Sequence, residues 1–135
     1  FILKNLVIVE SPAKARTMKI LLLISLYSIT LLANNYQSLL FHGNCTTCHF
    51  ETKTVSAPSM IMVRDSYIKA FPDKKEFVSY MSTWVHHPNK DTSLMDQSIK
   101  KHGLMPELAI DLDTLREIST YIYNTDFKKS HKGHK

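Results

Sequence analysis

The sequence predicts an all-α fold, a bundle of four to five helices. Three observations carry the prediction. Apolar side chains recur at helical spacing in separate segments between residues 36 and 127. No segment after residue 17 alternates apolar and polar residues as a half-buried strand does. The chain's only cysteines, Cys45 and Cys48, close too small a loop to staple a domain, so the core must be completed in another way.

Taken from the front, the chain changes character twice before that bundle begins. Residues 1–17 lie upstream of a plausible start at Met18 and are expected to be a fused or non-native leader. Leu3 to Thr17 resembles the first strand and loop of bacterial type IA DNA topoisomerases, with Glu10 in the place of an active-site carboxylate. The paired aspartates and nucleophilic tyrosine region of that enzyme have no counterpart downstream, and a lone strand cannot hold a metal. Met18-Lys19 then opens an uncharged apolar stretch, residues 20–33, that ends at Ala33. One positive charge, an apolar run and a small final residue make residues 18–33 a secretory signal peptide, with cleavage after Ala33. The run is too short for a comfortable membrane span.

Residues 34–127 are the expected folded domain. Residues 36–42 read as a short helix with Tyr36, Leu39 and Leu40 on one face. Pro58 suits a helix start and is followed by Met60, Val63, Tyr67 and Ile68. From Asp73 to Val85, Phe77, Met81 and Trp84 repeat at helical spacing until Pro88 stops the helix. A short helix over residues 93–102 carries Leu94, Met95 and Ile99. The last helix presents Leu115, Ile118, Tyr121 and Ile122 on one face, with Asp111 or Asp113 as its cap. Residues 128–135 hold no apolar side chain and are expected to be disordered, with a metal role for His131 and His134 as the alternative.

The 135 residues carry a net charge of +5, which does not demand a nucleic-acid partner. From Asn34 onward 13 basic residues face 11 acidic ones, so the domain itself is nearly balanced. A domain of about 100 residues buries a modest core and is marginal without help. A large apolar cofactor would supply it.

Cys45-Thr46-Thr47-Cys48-His49 points to that cofactor. The spacing C-x-x-C-H is the attachment signature of c-type haem. Two thiols add across two vinyl groups, and the adjacent imidazole meets the iron from the proximal side. A thioredoxin-like pair would follow a strand, and Leu39-Leu40-Phe41-His42-Gly43 does not alternate like one. A zinc site would need two more ligands at compatible spacing, and no second cysteine pair exists.

A saturated iron needs a second axial ligand. Met105 is the leading candidate, because it sits in the loop Gly103-Leu104-Met105-Pro106 between two helical segments. Glycine there permits a tight approach, and proline fixes the backbone just after the ligand. Met60, Met62, Met81 and Met95 fall at helical spacings and are expected in the core. His86, His87 and His102 are the alternatives for a bis-histidine iron.

Together these residues resemble the small class I bacterial cytochromes c. The likeness covers most of residues 36–127: the helix and glycine before the signature, Ala57-Pro58 nine residues after His49, the Met105-Pro106 loop, and a carboxy-terminal helix from Asp111 to Phe127. Ala57 departs from the family, where a glycine precedes the proline. The resemblance implies a cytochrome c-like bundle around one covalent haem and iron held by His49 and Met105. It also implies a hydrogen bond from His49 to the Pro58 carbonyl, and in some relatives a tryptophan, matched by Trp84, bonds a haem propionate. The function expected is a periplasmic, monomeric carrier of single electrons between redox proteins such as an oxidase, a reductase or another cytochrome. No enzymatic turnover and no nucleic acid are expected, and membrane contact only through an uncleaved signal segment. Lys74, Lys75, Lys100 and Lys101 would then either steer docking at the haem edge or form a solvated face. The rival functions are a haem sensor or peroxidase-like enzyme with an open sixth position and, from residues 1–17 alone, a topoisomerase fragment.

Overall fold

The computed structural model describes residues 12–130, without the side chains of 12–15, 26–34 and 130. Six α-helices and one short 3-10 helix appear among the described residues, and no strand. The all-α class is therefore observed. The helices are α1 (Pro12–Asn44), α2 (Met60–Ala70), α3 (Lys74–His86), α4 (Asp96–His102), α5 (Leu112–Asn124) and α6 (Phe127–Ser130), with the 3-10 turn at Lys90–Thr92 before α4.

The chain divides into two compact units, Phe1–Asn34 and Asn35–Lys135, and α1 crosses the division. In the first unit Pro12 to Thr17, the second half of the topoisomerase-like segment, is helical; Glu10 lies outside the described residues. Side chains from Arg16 to Ser25 are exposed. No helix among the described residues is long and apolar enough to cross a membrane.

In the second unit, three of the helices begin on side-chain caps. Ser59 accepts from Met62 N–H at the start of α2, Asp73 from Lys75 and Glu76 N–H at the start of α3, and Asp111 from Thr114 N–H at the start of α5. Each cap satisfies donors that the first helical turn leaves orphaned. Of the two cap candidates for the last helix, Asp111 is the one used. α2 is tied down further, since Met60 and Ile61 N–H donate to the carbonyls of Phe50 and Glu51 at 3.0 and 3.1 Å. Arg64 reaches from α2 to the other end of α5, where its guanidinium donates to the Ile122 and Tyr123 carbonyls. These belong to the last turn, which has no helical partners of its own.

The core gathers Phe41, Met60, Tyr67, Phe77, Met81, Leu115, Ile118, Ile122 and Phe127. α5 lies mainly along α3, and the buried serines Ser82 and Ser119 return their hydroxyls to the carbonyls one turn earlier, Val78 and Leu115. The end of α1 meets α5 through Phe41 and Tyr121, whose ring centroids are 5.1 Å apart.

Four details differ from the sequence expectation. Residues 36–42 are the end of a longer helix, and its buried face is built on Phe41 and Leu40; Tyr36 and Leu39 are exposed. The expected face counted apolar residues, but the polar Gln37 and Ser38 turn inward instead, bonding Glu117 and the Tyr121 hydroxyl. Met62, expected in the core, is exposed and accepts from the Thr54 hydroxyl. The helix of residues 93–102 starts only at Asp96, because the Ser93 hydroxyl takes the Met95 N–H in a turn. The tail expected to be disordered from Lys128 is helical through Ser130. Phe127 is fully buried and draws that segment onto the domain, where Lys128 pairs with Asp65 at 2.8 Å. His131 and His134 lie outside the described residues.

Candidate functional site

α1 delivers the cysteine motif. Its helical bonding continues to Cys45, whose N–H donates to the Phe41 carbonyl at 2.9 Å. The chain then turns on the Cys45 carbonyl, which accepts from both Cys48 and His49 N–H at 3.3 and 2.9 Å. Cys45 is half-buried, Cys48 is exposed, and both thiols are unbridged.

Cys45 is not activated as a nucleophile. Burial, with Cys48 adding, pushes the Cys45 thiol up to about 11. The motif also sits at the carboxy-terminal end of a helix, where the dipole disfavours a thiolate. A disulfide oxidoreductase needs the reverse, a thiolate stabilised at a helix amino terminus. The Cys45 thiol therefore stays protonated at neutral pH.

His49 is oriented by the start of α2. Its Nδ1 lies 2.8 Å from the Pro58 carbonyl, which can only accept. Nδ1 therefore carries the proton, and Nε2 is left with its lone pair. Burial pushes the His49 pKa down, the Pro58 bond opposes this, and the nearby His102 adds to the lowering. The outcome is a neutral imidazole with one oriented donor nitrogen, the form that binds a metal. The intervening loop is pinned by the Ser56 hydroxyl on the Cys48 carbonyl at 3.2 Å and by the Thr54 hydroxyl accepting from Ser59 N–H at 3.2 Å.

Cys45, Cys48 and His49 form part of the wall of one large cavity that runs into the core. α2 contributes Met60, Val63 and Tyr67 to it, α3 contributes Met81, Trp84 and Val85, and α5 contributes Leu115, Ile118, Ser119 and Ile122. Several of these are core residues, so the core is built around an opening. Among the described residues no Lys, Arg, Asp or Glu lines it. Burial, with Tyr80 adding, pushes the pKa of Tyr67 up, so its phenol stays neutral. The sequence marked Tyr67 only as one apolar position of a helix, and nothing in its spacing distinguished a cavity wall from a closed core.

Met105 is half-buried and lines the same cavity. α4 ends at Gly103, whose N–H closes on the Ile99 carbonyl at 2.8 Å. Gly103 has φ +84°, a conformation that favours glycine, and no protein atom lies within 4 Å of where a Cβ would stand. The glycine is thus required by the backbone reversal that sends the chain toward Met105, and no crowding among protein atoms enters.

The alternative histidines separate. His102 also lines the cavity and stands close enough to act on His49. His86 and His87 are outside it: their rings meet edge-to-face at 4.2 Å, and His87 pairs with Glu107 at 3.2 Å. Trp84 faces the cavity, but its indole N–H donates to the Asn89 carbonyl at 3.0 Å. The donor expected for a propionate is therefore already used, and Trp84 offers the cavity a ring face. Lys74, Lys75, Lys100 and Lys101 are exposed and outside the lining.

Set against protein-family models, curated proteins and solved structures, the chain matches none of them. Its chemistry must be judged from its own donor set. Two thiols one turn apart, an imidazole with its outer nitrogen committed, a thioether and a deep apolar wall without formal charges fit a flat, largely apolar macrocycle that brings its own metal.

Proposed function

We propose that residues 34–127 form a monohaem c-type cytochrome that carries single electrons between redox proteins. The observation that carries the reading is the Cys45–His49 turn on the wall of the apolar cavity, with His49 Nδ1 committed to the Pro58 carbonyl. Cys45 and Cys48 would hold the haem through thioethers, His49 would be the proximal ligand and Met105 the distal one. The haem would supply a one-electron iron couple.

The chain's own residues do the rest. The Pro58 carbonyl fixes the His49 ring and raises its basicity. The walls from α2, α3 and α5 are mostly apolar and would give a bound haem a low-dielectric setting. Met105 would be the second residue to hold the iron, which would leave no site for substrate chemistry. Export by the segment 18–33, a periplasmic location and a monomeric state belong to the same proposal, because thioether attachment of haem and a secretory leader serve one compartment.

Exposure of the reduced protein to carbon monoxide at neutral pH tests the carrier reading against a haem sensor or peroxidase-like enzyme. An unchanged spectrum together with a reversible one-electron wave supports a carrier. Prompt binding of the gas would overturn it in favour of an open sixth position.

A further inference from the structure

His42, one turn before Cys45, has a bonding pattern that a neutral imidazole cannot satisfy. Its Nδ1 lies 2.7 Å from the Ser38 carbonyl, and its Nε2 lies 3.2 Å from Glu51 Oε1. Both partners are acceptors, so both nitrogens must donate, and only the imidazolium has two N–H groups. The neighbouring groups are consistent with this. The Tyr121 ring of α5 is 6.0 Å away, Phe41 stands edge-on at 5.1 Å, and the Ser38 hydroxyl is 3.3 Å from Nδ1. Glu51 is the carboxylate that faces the ring; Glu117 of α5, near the same seam, is occupied by Gln37 at 2.6 Å.

The bond joins two pieces of backbone that aim the motif. Ser38 belongs to the last turns of α1, which set Cys45. Glu51 belongs to the segment after His49, and its carbonyl accepts from Ile61 N–H at the start of α2, beside the Pro58 that orients His49. We infer that His42 is a proton-dependent positioning residue, which as an imidazolium clasps the end of α1 to Glu51 and so holds the segment that orients His49. The inference rests on the haem reading only for its consequence at the iron; the clasp itself is a property of the chain.

The sign follows from charge. With His42 protonated, a positive group is held near the motif and favours the reduced centre. Raising the pH removes the proton and one of the two bonds, and the midpoint potential falls. Removing the Glu51 carboxylate takes away the charge that Nε2 faces and weakens the clasp.

Nitrogen-resolved NMR of the His42 ring across acid to alkaline pH tests the clasp with or without haem, and potentiometry over the same range tests its consequence. Two protonated ring nitrogens at acid pH, with one proton lost on alkalinisation, are expected. So is a potential step that His42→Gln abolishes and Glu51→Gln diminishes. A single protonated nitrogen throughout would overturn the inference. So would a potential step that His42→Gln leaves whole, since a merely structural histidine would change stability without moving that profile. Failure to bind haem would overturn the proposed function, and the NMR result would still decide the clasp.

Discussion

The thioether of Met105 and the imidazole of His102 line the same cavity three residues apart, and one substitution tells them apart. Met105→Ala should remove the weak red charge-transfer band of thioether-ligated ferric haem and admit external ligands; His102→Ala should leave the band in place. Absorption spectra of the two oxidised variants check this. His49 makes a pH prediction. The folded chain holds the His49 pKa below its ordinary value, so between the two values the unfolded chain binds the extra proton. The haem-free chain should therefore be most stable above the ordinary histidine range and lose stability as pH falls through it, measurable by urea unfolding at a series of pH values. At this scale the sequence was informative where chemistry is local. The order Cys45, Cys48, His49 is legible because spacing alone defines it, and the bond from His49 to Pro58 was expected only from the family resemblance. Tyr67 and the clasp of His42 to Glu51 were not legible, because each depends on which side a helix turns toward a distant segment.

Gly103 closes α4, and Phe127 opens α6. With φ 84° and ψ 170°, Gly103 occupies a region that is essentially reserved for glycine. Gly103→Ala should cost about 1–3 kcal/mol and loosen the Met105 loop, seen as a lower melting temperature with increased ligand access. Asp73→Ala removes the cap of α3, which accepts two backbone N–H groups, and should cost about 1 kcal/mol in chemical denaturation. Phe127→Ala should cost about 3–5 kcal/mol, because the ring is 1% exposed within the core. Deletion of residues 127–135 should destabilise the domain likewise, in contrast to what the polar composition of the tail suggests. Helix positions were readable because Pro58, Asp73, Pro88 and Asp111 mark ends by local chemistry. Faces were less so. Tyr36 and Leu39 are apolar and exposed while Gln37 and Ser38 turn inward, since polar partners on α5 decide which side of α1 is buried.

The folded unit from Asn35 is built around a cavity, and its largest packing faces, on α2, α3 and α5, share that cavity's wall. A small domain with such an opening surrenders contacts that a closed core would make. A variant that cannot attach the cofactor, Cys45→Ala with Cys48→Ala, should keep much of its far-ultraviolet helical signal while losing near-ultraviolet signal and binding hydrophobic dye. The central claim is that this chain holds haem by covalent bonds at Cys45 and Cys48, and mass spectrometry tests it most directly. The chain would be produced with export in a host that attaches haem, extracted with acidified acetone, and weighed intact. The account predicts a chain heavier by one haem, with the added mass mapping to the peptide that carries both cysteines. A chain at its own mass, with both thiols open to alkylation and the haem recovered in the acetone, would contradict it.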